Sequence, residues 1–194
     1  MFHNRIAMNK THFIFLFVSL LLFSCKKENE HQPRKTTGKI NTISVIIDDQ
    51  FWNGEIGDSI RNKFASPVIG LPQEEPLFNI NQYPVRLLEG FMTDTRAIIV
   101  VKKAEENKFE IKKNQYASPQ NVFHISGKTA ADIIACIEKN TPKMIETIKN
   151  CELAESQKIN SQSLIDPKVI ENKFHLSIQV PSGYAYVLQK SNFL

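Results

Sequence analysis

Four carboxylates, Asp48, Asp49, Glu55 and Asp58, fall within eleven positions around the chain's single tryptophan, Trp52. Clustered carboxylate oxygens suit hard cations such as Ca²⁺, and two carboxylates held apart can divide the acid and base roles of glycoside hydrolysis. The spacing here matches no calcium loop. The plainer reading ends a strand at Asp48-Asp49 and puts Glu55 and Asp58 in the first turn of a helix, where negative charge offsets the helix dipole. An exposed indole at Trp52 would stack on a sugar or an aromatic group, whereas a buried one would close an end of the core. Leu71-Pro-Gln-Glu-Glu-Pro76 is a second candidate binding element, because its prolines limit the entropy lost on binding. Gln73 and Glu75 would be its polar contacts, or would bond to the backbone of a rigid connection.

His124 and His175 fall on the polar faces of two expected strands. A shared metal would need a third ligand at a zinc-like spacing, and none is present, so no metal is assigned. Cys136 and Cys151 lie in two expected helical segments, and an oxidising compartment would allow a disulfide between them. Cys151, on an apolar helical face, would equally pack as a small hydrophobe. There is no Ser-His-Asp arrangement, and the 7 glycines are too scattered for a phosphate loop or a dinucleotide fingerprint. No catalytic residue and no cofactor is assigned.

Cys25 carries the most specific chemistry. Arg5 and Lys10 flank an apolar run from Phe13 to Phe23, and Ser24-Cys25 follows before the chain turns polar. A run of that length rises only about 16 Å as a helix, half of a roughly 30 Å hydrocarbon core, so residues 1–24 read as a signal segment and not a span. Small residue then Cys resembles a bacterial lipobox, in which the thiol takes a thioether-linked lipid and becomes the new N-terminus. Several acyl chains, each adding about 0.8 kcal/mol per buried methylene, would then anchor the protein to the membrane. Residues 25–39 follow as the lipidated Cys and a polar tether, since Lys26 to Lys39 contains no large apolar side chain.

Charge narrows the partners. Of 24 basic residues, Arg5 and Lys10 leave with the signal, so the remaining chain carries 22 against 20 acidic ones. That near balance, with Lys beside Glu and Asp throughout, gives no basic stripe, and nucleic acid is not expected as a partner. A composition 42% hydrophobic and 23% charged excludes a disordered or collagenous chain.

The elements that must hold these residues occupy 40–194, read as one domain. Ile43 to Ile47 is a β-branched strand, and Ile56, Ile60 and Phe64 mark an amphipathic helix over about Gly54 to Ala65. Pro76 to Tyr83 reads as extended. Ala97 to Val101, apolar on both faces, is a central strand, and Lys108 to Lys113 alternates as its hairpin partner. Val122 to Ser126 adds a strand. Ala130 to Cys151 holds two helices or one kinked at Thr141-Pro142. Phe174, Leu176, Ile178 and Val180 alternate as a final strand, with a further one over Gly183 to Leu188. The expected class is α+β, a mixed and largely antiparallel sheet with helices mainly on one face.

Asn41 to Ile46, Trp52 to Asp58, Leu71 to Phe78, Asn114 to Ala117 and Val180 to Tyr184 together resemble a Bacteroidetes-type lipoprotein family, domain-of-unknown-function family 4837. The resemblance implies an envelope location and makes this chain the N-terminal half of a longer family protein. It implies no activity.

The expectation is a lipid-anchored protein of the cell envelope, at the outer membrane, with the surface or periplasmic face undecided. It would bind another envelope protein or a glycan, or serve in assembly, without catalysis. The alternative is a polymer-processing enzyme acting through Asp48, Asp49 and Glu55. A concave pocket joining those carboxylates beside Trp52 would favour the second reading, and a convex solvated surface the first.

Overall fold

Thr42–Ile46 (β2) is β-branched at four of its five positions and buried at all of them, which requires a neighbouring strand on each side and cover on both faces. The computed structural model, which describes residues 34–88, 90–187 and 190, supplies both. Residues 1–33, and with them the signal segment, Cys25 and the start of the tether, lie outside the described residues.

The five-stranded sheet has the order β3-β2-β4-β7-β5, formed by Asn79–Tyr83 (β3), Ala97–Lys103 (β4), Lys108–Lys113 (β5) and Asn121–Gly127 (β7) with β2. The class is α+β and the sheet is mixed, but most of its pairing is parallel. β2 runs parallel to β3 and β4, β4 parallel to β7, and only β5 is antiparallel, to β7. The expected hairpin of β4 with β5 is therefore corrected. β4 is buried on both faces along Ala97 to Val101 and needs a partner on each edge, and β7 takes the place between β4 and β5.

Period-two alternation divides the core between the faces. Ile43, Val45, Ile99, Val101, Phe123 and Ile125 meet the helices, while Ile46, Ile98, Val100 and Val122 form a smaller cluster under Tyr83, Val85, Leu88 and Tyr116. On the helical face, Glu55–Phe64 (α2) turns Ile56, Ile60 and Phe64 inward. A four-residue helix, Asp49–Trp52 (α1), precedes it. Gly57 is required there, because a Cβ would lie 1.8 Å from the Trp52 carbonyl oxygen.

Ala130–Asn160 (α3) is one helix with Pro142 inside it. Ile133, Ile137, Thr141, Met144, Ile148, Glu152 and Glu155 recur every three or four positions, so the inward stripe crosses the proline without losing phase. Its start is fixed by Thr129 and Asp132, each side chain bonding the other residue's backbone N–H.

Two boundaries differ from expectation. Arg34–Lys35 (β1) pairs in parallel with Ala117–Ser118 (β6), and Thr36 is buried, so the fold begins before residue 40. Backbone ladder bonds and the Arg34–Asp94 ion pair at 3.2 Å hold this polar segment, which needs no apolar side chain to join. The expected final strand is the second correction. Lys168–Phe174 (α4) is a helix opened by Asp166-Pro167 and closed by His175 at φ 53°, and Leu176 and Ile178 follow outside the sheet, 55% and 48% exposed. Residues 184–187 form no strand either.

Candidate functional site

The residues singled out by sequence do not meet in one pocket. Asp48, Asp49, Glu55 and Asp58 are all exposed, along the starts of α1 and α2. Asp49 accepts a hydrogen bond from the Gln82 amide at 3.0 Å, and Asp58 pairs with Arg61 at 2.6 Å. Trp52 is half-buried against the helix-side core. The Arg61 guanidinium lies 4.5 Å over its ring and donates to its carbonyl oxygen at 3.0 Å, so the ring face a ligand would need is occupied.

Gln73 and Glu75 are exposed on an excursion between α2 and β3. Its neck is tied by Val68 N–H to the Glu75 carbonyl at 2.9 Å and by Leu77 N–H to the Ser66 carbonyl at 2.8 Å. Backbone groups, not the Gln73 and Glu75 side chains, fix this loop. His124 sits on the outer face of β7 with its Nε2 2.7 Å from the Gln115 side-chain oxygen, whereas His175 caps α4. Burial, then the Lys112 charge, hold His124 below the usual histidine range, against an upward pull from Glu110.

The Cys136–Cys151 disulfide is corrected. Both lie on α3, fifteen residues and hence about 22 Å apart along the axis, far beyond the roughly 7 Å limit for bridged Cα atoms, and both thiols are free. The reading rested on two helical segments folding back on one another, and α3 is continuous. Burial pushes both thiols up, Cys151 further by the Glu152 charge, so they stay neutral near pH 7.

A cleft of about 770 Å³ lies elsewhere, between the edge strand β5 and α3. Ile111 makes part of its floor. Lys113 and Asn114 line it from the end of β5, Asn121 from the start of β7, and Lys143, Thr147, Asn150 and Cys151 from α3. No described carboxylate lines it, and neither ammonium has a carboxylate partner among the described residues.

The loop rimming this groove is tightly fixed. Gln120 is buried; its side-chain oxygen accepts from the N–H groups of Tyr116 and Ala117, and its amide donates to the carbonyls of Thr93 at 2.6 Å and Thr95 at 2.8 Å. Asn114, at φ 54°, accepts from Gln120 N–H at 2.9 Å through its side chain and donates its own N–H to the Gln120 carbonyl. A short polar side chain that bonds locally is what the left-handed conformation favours. Further along α3, Glu152 pairs with Arg96 at 2.9 Å, both more than nine-tenths buried, and burial pushes the Glu152 carboxyl up in spite of Arg96. A smaller cleft of about 260 Å³ beside His124 is lined by Lys102, Lys103, Lys108 and Glu110.

Lys113, Asn121 and Lys143 escaped the sequence reading because each sits in a pattern already accounted for by a strand or a helix. The legible signal was the polar set Lys143, Thr147 and Cys151, at helical spacing beside the apolar stripe.

The model of a family described as Domain of unknown function (DUF8532) matches residues 36–161, and the chain belongs to that family. This overturns the resemblance to family 4837, and with it the reading of the chain as that family's N-terminal half. The short stretches that carried it are scattered strand, helix-start and loop segments, one of them, Val180 to Tyr184, outside the matched span. No curated protein and no solved structure matches the chain.

Proposed function

We propose that this member of the DUF8532 family is a lipid-anchored protein of the cell envelope that binds a partner molecule without catalysis. The anchor reading rests on Ser24-Cys25 behind an apolar run too short to span. Among the described residues no helix is long and apolar enough to cross a membrane, so attachment of the body would fall to Cys25.

The observation that carries the binding reading is the β5–α3 groove. A cleft of about 770 Å³ is within the size range of small-ligand sites, and it is lined by amines, amides and a neutral thiol. Hydrolysis through paired carboxylates needs them to converge on one bond. Asp48, Asp49 and Glu55 are instead exposed at helix starts, Asp49 already engaged by Gln82.

Expression of the full chain in a Gram-negative host tests the anchor. The wild type is expected in the membrane fraction with a diacylglycerol-sized mass increment on Cys25, and Cys25→Ala in the soluble fraction or uncleaved. A wild-type protein with an unmodified Cys25, released from membranes by salt, would sink the reading.

A further inference from the structure

We infer that the groove between β5 and α3 is a binding site for an oxyanion carried on a hydroxylated scaffold, the chemistry of an acidic sugar. This rests on the reading above that the body binds without catalysis. The decisive residue is Asn121. It is only 6% exposed and lines the groove, yet its side-chain amide has no hydrogen-bond partner among the described residues. The residue is packed into the fold while its amide opens onto the groove, so its donor and acceptor are available to a molecule bound there. Its backbone is fully engaged, N–H to the Arg96 carbonyl at 2.8 Å, so the side chain is held in place and turned toward the cleft.

The surroundings define what would satisfy it. Lys113 on the strand wall and Lys143 on the helix wall supply two ammonium groups with no carboxylate opposite either among the described residues, which selects negative charge. Asn114 keeps its amide N–H₂ free, since only its side-chain oxygen is used by Gln120, and Asn150 adds a second unengaged amide. Amides donate and accept, which suits hydroxyl groups flanking the anion. The neutral Cys151 thiol adds no repelling charge. The rim is pre-organised by the buried Gln120 clamp, so little ordering entropy is lost on binding.

The test is calorimetric titration of the full-length chain in detergent with trigalacturonate, with neutral trigalactose and with glucose 6-phosphate. The expected result is saturable binding of an acidic probe, weakened by salt, and at least about tenfold weaker binding of trigalactose. Tighter binding of trigalacturonate makes the anion a sugar carboxylate, and tighter binding of glucose 6-phosphate makes it a phosphate. Lys113→Gln and Lys143→Gln, both at exposed positions, are each expected to weaken binding at least about tenfold. Asn121→Ala is expected to lose affinity while keeping the wild-type melting temperature, because it removes no protein hydrogen bond. No binding of either acidic probe, equal binding of trigalactose, or lysine variants that bind like wild type would overturn the site. Shortening of trigalacturonate during titration would overturn the non-catalytic reading and leave the site standing.

Discussion

The sheet and its long helix, within the stretch 36–161 matched by the family model, and residues 175–187 after it treat the same kind of residue in opposite ways. Within the first, Ile43, Ile99, Phe123 and Ile133 are buried almost completely. In the second, Leu176, Ile178, Tyr184 and Val187 are exposed, Val187 to 96%. Both contain strand-like alternation. The difference is that β2, β4 and β7 have a ladder on each edge, whereas residues 175–180 have none beyond the isolated bridge of Leu164 with Pro181 and its flanking bonds. Alternation states which side chains would share a face; only a paired neighbour and a cover make that face a core.

The contrast is broken most directly by truncating side chains on either side of residue 161. Phe123→Ala removes a fully buried ring and is expected to cost about 3–5 kcal/mol in urea unfolding of the full chain. Leu176→Ala and Ile178→Ala are expected to cost less than about 0.5 kcal/mol each. A loss above about 2 kcal/mol for either would mean that the later stretch belongs to the same core.

The buried ion pair sharpens the comparison within the body. Arg96 Nε and Glu152 Oε2 are 2.9 Å apart, and the other Glu152 oxygen has no partner among the described residues. Arg96→Met would leave a buried carboxyl whose pKa is already raised by burial, at a cost of about 3 kcal/mol at pH 7. The sign of the pH response follows. A carboxyl whose folded pKa lies above its unfolded value loses stability as pH rises through that interval, so the variant should recover part of its loss toward pH 4. Urea midpoints at pH 4 and pH 7 check this, and a variant equally damaged at both would refute it.

Helix starts show what was legible in the chain and what was not. Thr129, three residues before Asp132, is a capping pair readable from sequence, and Thr129→Ala is expected to cost about 1 kcal/mol by thermal unfolding. At the far end, Asp166-Pro167 is an equally sound start signal for α4, which the strand expected from the alternation of Phe174, Leu176, Ile178 and Val180 left out of account. The helix at Glu55–Phe64, the strand at Thr42–Ile46 and the apolar β4 were visible because burial on a fixed period leaves a mark on residue type. Strand order was not, because the neighbours of β4 are set by β7 entering between it and β5, a choice no local pattern records. The groove was still less visible. Asn121 reads as the polar end of a strand, and only the packing of α3 beside the edge strand β5 turns its amide onto a cleft.

The smallest expected effect separates the two faces of the sheet. His124 lies on the face without helices, half-buried, bonded to Gln115 and surrounded by Lys102, Lys108, Lys112 and Glu110. Burial and the lysine charges disfavour its protonated form in the fold, so the unfolded chain takes up the proton first as pH falls. Stability from this group is therefore complete above about pH 6.5, the unfolded value, and is lost as pH falls through that point toward the lower folded value. His124→Gln keeps a side chain able to bond Gln115 and removes the titration. Its unfolding free energy should be flatter than wild type between pH 7.5 and 5.5. Parallel curves for wild type and His124→Gln would mean that the Glu110 charge offsets the burial of the ring, and that this face of the sheet is as open to water as the loops around it.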